Sequence, residues 1–421
     1  YKRQLLNELV KGTLKRRGTL DAVLANFVHV GFDTLPPWIQ NSLRLGAYQL
    51  LYLDRIPAHA AVSESVVLAR KYGHPGTAGL ANSVLRRVSE TSRDELLAPL
   101  EAIPDPLGRL EAVTSHPRWL LERWLERFSI DDVTRLAEAN NRAARLGLRA
   151  NRIKLDRKEL IKRLEQHELT ATPGRWSDST VWVEGEIDLA TLPLLPRGDC
   201  TVQDESETLV GQLVSPRPGY RVLDLCAAPG GKTTHLAELM SDRGEIVAVE
   251  KHPSRARVLR EGIARLGLNS VEVREGDAVE MRWQGDFHRV LVDAPCSGLG
   301  VLARRADARW RKKPNIIPRM AAVQKQLLDS AASAVRRGGA LVYSVCTFEP
   351  EETVDVISSF LEQHPGFRLI DAKGYLPGEV VSEEGALLCL PHVHDTDGVF
   401  AVRLERVGKY GKDSAEDATG E

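Results

Sequence analysis

From Arg221 to Val407 short apolar runs alternate with helix-length amphipathic segments, and few folds accommodate that rhythm. The runs read "RVLDLC", "EIVAVE", "VEVREGD", "HRVLVDAP", "GALVYSVC" and "VFAVRLERV". Between them lie the helical stretches "KTTHLAELM", "SRARVLREGIARLG", "MAAVQKQLLDSAASAVRRG" and "EETVDVISSFLEQH". Strands this uniformly apolar are buried on both faces, which requires a mainly parallel sheet covered by its own crossover helices. The pattern predicts a Rossmann-like, doubly wound α/β domain over residues 206–408, with ligands beyond the C-terminal ends of the strands.

The 421 residues exceed what one core needs. Residues 1–140 read as all helix, with apolar positions recurring at three and four in "LLNELVKGTL" and "VSESVVLARKYG" and breaks at "LPP", "GHPG" and "IPDP". Residues 141–205 change texture: "LGLRANRIKL" as strand, "RKELIKRLEQHEL" as helix and "TVWVEG" as strand make a small α/β, RRM-like subdomain. Residues 409–421 form a polar tail. The chain opens at Tyr1 inside the helical pattern, so a further opening helix is expected before it. No apolar run reaches the length of a membrane span and no signal peptide is visible, which points to the cytoplasm. Five cysteines without C-x-x-C spacing argue against a disulfide framework or a zinc module.

The formal net charge of −1 conceals an uneven distribution. Residues 1–90 carry 12 Lys/Arg against 6 Asp/Glu. A second basic cluster contains Arg304, Arg305, Arg309, Arg311, Lys312 and Lys313 against Asp307 alone. Both patches suit a phosphate backbone, so RNA contact is expected at these six residues.

The turn "LDLCAAPGGKT" ends like a P-loop. A P-loop requires a glycine where Cys226 stands, and Pro229 has no N–H for a phosphate. The turn fits a nucleoside instead. Gly230 and Gly231 admit close backbone approach, Glu250 ends the next strand where a ribose diol would be held, and Asp277 in "EGDA" can reach an adenine amine. These residues point to an adenosine cofactor without a triphosphate, S-adenosylmethionine.

"VDAPCSGLG" and "YSVCTFEPEE" place Asp293, Cys296 and Cys346 at strand ends on the cofactor rim. A lone strand-end cysteine reads as a small buried apolar residue. Two beside Asp293 and Lys232 point to thiol chemistry. The matching reaction is methylation of pyrimidine C5, where a thiolate adds to C6 and activates C5, and a base then removes the C5 proton. The target base must be single-stranded or flipped out. Residue chemistry alone does not rank the two cysteines.

These motifs, in this order, resemble the RNA 5-methylcytosine methyltransferases of the Nol1/Nop2/Sun class, with "TVQDESETLV" resembling the family's lead-in segment. The N-terminal "LRLGAYQLLYLDRIPAHAAVSESVVLAR" and "GLANSVLRRV" are similar to a NusB-like RNA-binding domain. That pairing implies the bacterial branch acting on 16S rRNA, and the likeness spans nearly the whole chain. It implies Cys346 as nucleophile and Cys296 in product release, with Lys232 and Asp293 at the reacting cytosine. It implies a cofactor site of Cys226, Ala227, Ala228, Pro229, Gly230, Gly231, Lys232, Glu250, Arg255, Asp277 and Asp293. The chain departs from the family at Val345, where Thr is usual, at Glu250, where Asp is commoner, and in "RRADARW", which lacks a Pro after the Arg pair. None of these removes a reacting group. A tRNA substrate, and a catalytically silent RNA-binding assembly factor, are the competing readings.

His392 and His394 in "PHVHD" lack a third convergent ligand, so no metal is expected. Cys200 and Cys389 read as structural, Trp119 and Trp124 as core. A monomer is the expected state.

Overall fold

A computed structural model describes residues 2–185 and 187–407, and the polar tail from Lys409 lies outside the described residues. The chain forms two compact units, residues 1–144 with 302–314, and residues 145–301 with 315–421.

The first unit is helical. The prolines of "LPP", "GHPG" and "IPDP", which read as breaks, open the helices Pro37–Tyr52, Pro75–Glu90 and Pro106–Thr114. Proline suits that first position because its missing N–H would have no intrahelical partner there. Ser92 and Glu95 form a reciprocal capping box on the helix Arg93–Glu101. Leu20, Leu24, Ile39, Leu43 and Leu85 centre a core with no exposed surface. Trp124 is fully buried 5.8 Å from His116, whereas Trp119 is only half-buried.

Residues 302–314 were expected in the second unit but belong to the first. Two side chains fasten them there. The Arg309 guanidinium donates to Asn141 Oδ1 at 2.7 Å and to the Asn140 carbonyl at 3.0 Å, and Trp310 Nε1 donates to the Leu14 carbonyl at 2.7 Å. Arg17 lies over the Trp310 ring.

The second unit holds two sheets. In the smaller, β1 (Leu146–Ala150), β2 (Ala171–Pro173), β3 (Thr180–Val183) and β4 (Cys200–Val202) run in the order β2-β3-β1-β4, all antiparallel. The helix Arg157–Gln166 seals one face with Leu160 and Leu164 against Leu148, Val181 and Cys200.

The larger sheet contains β5 (Arg221–Leu225), β6 (Glu245–Glu250), β7 (Val271–Glu275), β8 (Phe287–Asp293), β9 (Val335–Val345), β10 (Phe367–Ile370), β11 (Leu387–Cys389) and β12 (Val399–Arg406). Their order is β10-β12-β9-β8-β5-β6-β7, with β11 on β12. The five strands from β5 to β9 pair in parallel, as the alternation predicts. The last run, β12, is antiparallel to β9, and β10 and β11 add to it unannounced because their runs are too short to stand out. The helix Ile316–Ala334 stops earlier than its pattern suggests, and "VRRGG" begins β9.

From β5 the chain winds outward through β6 and β7, then returns to β8 on the other side. The strand order therefore reverses between β5 and β8, and a crevice opens beyond their C-terminal ends. Cys200 and Cys389 are buried in cores. Among the described residues no helix is long and apolar enough to cross a membrane.

Candidate active site

Five strand ends build the site. Beyond β5, Cys226 takes φ +66° and Gly230 φ +109°, and Gly230 caps the helix Gly231–Leu239. That positive φ favours glycine at 230, and a Cβ there would also press on Leu259 Cδ1 at 2.6 Å. Asp224 is buried, and Thr233 Oγ1 donates to its Oδ2 at 2.6 Å. Burial pushes the Asp224 pKa up to about 7, against the opposing hydrogen bond from Thr233. Burial likewise pushes the Cys226 thiol up to about 12, which suits a wall of the turn rather than a nucleophile.

At the end of β6, Glu250 is 2% exposed. Its Oε1 accepts from the His252 backbone at 2.9 Å, and its Oε2 has no hydrogen-bond partner. Arg255 donates to the Ala228 carbonyl and lies 3.5 Å from Glu250 Oε2, tying the turn to that acid. Beyond β7, Asp277 accepts from Lys251 Nζ at 2.6 Å and from the Val279 backbone at 3.0 Å. The Lys251 hydrogen bond, then the backbone one, hold its carboxyl below the usual range. An unsatisfied buried carboxylate oxygen beside a glycine turn is what a ribose diol would complete, so these residues fit an adenosine-bearing cofactor.

The reacting groups meet at the ends of β8 and β9. Cys296 Sγ and Cys346 Sγ are 2.8 Å apart. Both cysteines are half-buried, within reach of a ligand in the crevice. Lys232 Nζ lies 2.9 Å from Asp293 Oδ2, and Ser344 Oγ donates to Asp293 Oδ1 at 2.6 Å. Burial disfavours the Lys232 charge, but Asp293 and then Glu207 outweigh it and hold the ammonium well above its ordinary range. That cation also interacts with Cys346. Cys296 has the opposite surroundings: the hydrogen bond with Cys346, burial, the Cys346 charge and the Glu352 carboxylate all push its thiol well up. The two sulfurs therefore have different charged neighbours, the Lys232 ammonium for Cys346 and the Glu352 carboxylate for Cys296.

The structure brings Cys226, Ala227, Ala228, Pro229, Gly230, Gly231, Lys232, Glu250, Arg255, Asp277, Asp293, Cys296 and Cys346 onto this one rim of the second unit. It corrects one RNA-contact expectation. Arg309 has no exposed surface and spends its guanidinium on Asn140 and Asn141, so it is a structural residue of the helical unit. Arg305, Arg311 and Lys313 are exposed, with Arg311 paired to Asp307 at 3.1 Å, while Arg304 and Lys312 are half-buried. Both ring nitrogens of His394 are engaged by the backbone of Leu390 and Glu379.

Residue-by-residue reading missed the support behind the cofactor turn. Arg149 of β1 crosses from the small sheet and donates to the Gly231 carbonyl at 2.7 Å, to Thr234 Oγ1 at 3.0 Å, to Glu238 and to Gln203 Oε1. Gln203 and Glu207 belong to the lead-in segment, which was legible as a motif but not as a contact. An arginine inside a strand pattern was the one available signal for Arg149.

Comparison with known proteins gives a consistent set of likenesses. Residues 211–405 match the family model described as 16S rRNA methyltransferase RsmB/F, residues 1–90 the NusB family, and residues 116–190 the RsmF/B-like ferredoxin-like domain. The chain is 36% identical over 413 residues to the probable ribosomal RNA small subunit methyltransferase B of Bacillus subtilis, covering 96% of this chain and 91% of that protein. It is 36% identical over 372 residues to the ribosomal RNA small subunit methyltransferase B of Pseudomonas putida, covering 88% and 83%. Among solved structures, PH0851 superposes with a TM-score of 0.80 at 28% identity, covering 96% of this chain and 90% of its own.

Proposed function

The chain belongs to the 16S rRNA methyltransferase RsmB/F family, and from that premise we propose that it methylates C5 of a cytosine in 16S rRNA through a covalent bond between Cys346 Sγ and C6. The observation that carries this reading is the pair of sulfurs 2.8 Å apart beside the Lys232–Asp293 ion pair. The Lys232 ammonium interacts with Cys346 and the Glu352 carboxylate with Cys296, an asymmetry that supports different roles for the two sulfurs.

The chain's own residues divide the work. Glu250 receives the ribose hydroxyls, Asp277 the adenine amine, and the backbone of Pro229 to Lys232 the methionine end. S-adenosylmethionine, when bound there, supplies a methyl group on a sulfonium. Lys232 favours the Cys346 thiolate, and Asp293 meets the exocyclic amine of a flipped-out cytosine. Cys346 Sγ forms a bond to C6, and the C5=C6 π pair shifts to C5, which takes the methyl. The C5 hydrogen then leaves to a base, its bonding pair restores C5=C6, and the C6–S bond breaks to return Cys346 as a thiolate. Cys296 serves that second half. The helical unit, with exposed Arg305, Arg311 and Lys313, engages the RNA backbone.

Bisulfite sequencing of rRNA and tRNA, with and without this protein, tests the reading. One protected cytosine in 16S rRNA is expected. Protection only in tRNA would move the substrate, and protection nowhere would refute the activity.

A further inference from the structure

Behind Cys296 lies a buried polar group that the reaction as described does not use. Glu352, in the 3₁₀ turn Pro350–Glu352, has no exposed surface, and neither does Gln324 in the middle of the helix Ile316–Ala334. Glu352 Oε2 accepts from the Ser297 backbone N–H at 2.8 Å and from Gln324 Nε2 at 2.9 Å. Gln324 Nε2 also donates to the Pro295 carbonyl at 2.9 Å. The residues on either side of Cys296 are thus held by one carboxylate–amide pair. Tyr343, at zero exposure in β9, donates its hydroxyl to the Glu352 carbonyl at 2.7 Å and fixes the turn that carries the carboxylate.

The same turn is tied to the other cysteine's loop. Ser297 Oγ donates to Thr347 Oγ1 at 3.1 Å, and the Gly300 backbone N–H donates to the Cys346 carbonyl at 3.1 Å. Burying a carboxylate is costly unless something specific is gained by its hydrogen bonds. Here Glu352 Oε1 and Gln324 Oε1 remain without partners, so the pair is not optimised for stability alone. What the pair fixes is the path of Pro295–Cys296–Ser297, and with it where the Cys296 sulfur stands relative to Cys346.

We propose that Glu352, supported by Gln324, is a positioning residue that holds the Cys296 turn for the product-release half of the reaction, leaving the attack by Cys346 to other groups. The proposal rests on the two-cysteine reading above. It separates the halves of the cycle: Cys346 stands at the end of β9 beside Lys232, whereas Cys296 depends on the Glu352 clamp for its place.

The test compares Glu352→Ala, Glu352→Gln and Gln324→Leu in the full chain, with 16S rRNA and S-adenosylmethionine. For Glu352→Ala the expected result is a fall in kcat of about tenfold to about hundredfold, the size that follows from misplacing a reacting group by under an ångström. KM falls along with kcat because kcat/KM is set by the steps up to methyl transfer, single-turnover methyl transfer stays within about threefold of wild type, and a covalent RNA adduct accumulates in denaturing gels. Glu352→Gln keeps an oxygen for the Ser297 N–H and is expected to restore release. Gln324→Leu acts in the same direction as Glu352→Ala and keeps the test open should that variant fail to fold. The proposal is overturned if Glu352→Ala, or Gln324→Leu in its place, turns over like wild type. It is equally overturned if single-turnover transfer falls as far as kcat with no adduct, or if Glu352→Gln is as impaired as Glu352→Ala. If Cys346→Ala retains activity, the two-cysteine reading itself is what fails.

Discussion

Replacing Arg149 with methionine should destabilise the second unit far more than removing an ordinary surface arginine. Arg149 and Glu238 both have no exposed side-chain surface, and they meet through two contacts, at 2.6 Å and 3.1 Å. Methionine fills most of the arginine's volume but leaves Glu238 as a buried carboxylate without its countercharge. Breaking a buried pair from one side costs about 3–5 kcal/mol, a large part of a domain's total of roughly 5–15 kcal/mol. Removing both charges is different, because well-packed apolar replacements of a buried pair are close to neutral. The double variant Arg149→Met with Glu238→Leu should therefore recover most of the loss. A residual deficit of about 1–2 kcal/mol is expected from the Gly231 carbonyl and Gln203 Oε1, which lose a donor in either case. The pH dependence adds a second check. Burial already raises the Glu238 pKa, and Arg149 is the main group opposing that rise. Without Arg149 the folded value climbs further above the unfolded one, so the native state binds more protons and loses stability as pH rises. The deficit of Arg149→Met should be smaller near about pH 5 than near about pH 8. Urea denaturation at the two pH values, fitted with a common slope, measures both effects. A deficit under about 1 kcal/mol, or a double variant no more stable than the single, would refute the reasoning.

Further consequences can be checked separately. Glu250→Ala should weaken binding of S-adenosylhomocysteine by about tenfold to about hundredfold in calorimetry, since it removes charge-assisted bonds to the ribose; unchanged affinity would remove Glu250 from the site. Cys346→Ala should abolish methylation, whereas Cys296→Ala should trap a covalent RNA adduct that survives denaturant; the reverse pattern would exchange their roles. Asp224, raised to about 7 by burial, should contribute stability that is lost as pH rises from the ordinary carboxylate range through about 7. Asp224→Asn should flatten that part of the stability–pH curve, and a curve identical to wild type would count against it. Neutralising the exposed trio Arg305, Arg311 and Lys313 should lower RNA affinity and reduce its salt dependence by up to about three charges' worth. Arg309→Met should instead lower the melting temperature of the helical unit, because it leaves the Asn140 and Asn141 oxygens without their donor.

The contrast between those last two variants marks what periodicity and composition can carry. Strands and crossover helices impose patterns of two and about 3.6 residues, so β5 to β9 and the turn after β5 were readable one residue at a time. Arg309 was not. In "RRADARWRKKP" every basic residue looks alike, and only the fold decides that one guanidinium turns inward onto Asn140 and Asn141 while Arg305 and Arg311 face solvent. Long-range partners leave no local period, which is also why Arg149 and Glu238, 89 positions apart, gave no sign of each other.

The cysteines pose the same problem at the point where it matters most. Each ends a strand in a motif with an acid nearby, and thiol chemistry alone would allow either to attack. What distinguishes them is the sign of the neighbour each acquires on folding. Lys232 comes from the helix after β5 and stands by Cys346, while Glu352 comes from the turn after β9 and stands behind Cys296. With the sulfurs 2.8 Å apart, the Lys232 ammonium is the charge that interacts with Cys346, so it is the group whose loss the attacking sulfur should feel. Removing the Lys232 charge tests this directly. In Lys232→Met the Cys346 thiolate loses its countercharge, and the rate of its alkylation by iodoacetamide near neutral pH should fall, whereas a fall confined to Cys296 would place the nucleophilic sulfur on the wrong strand.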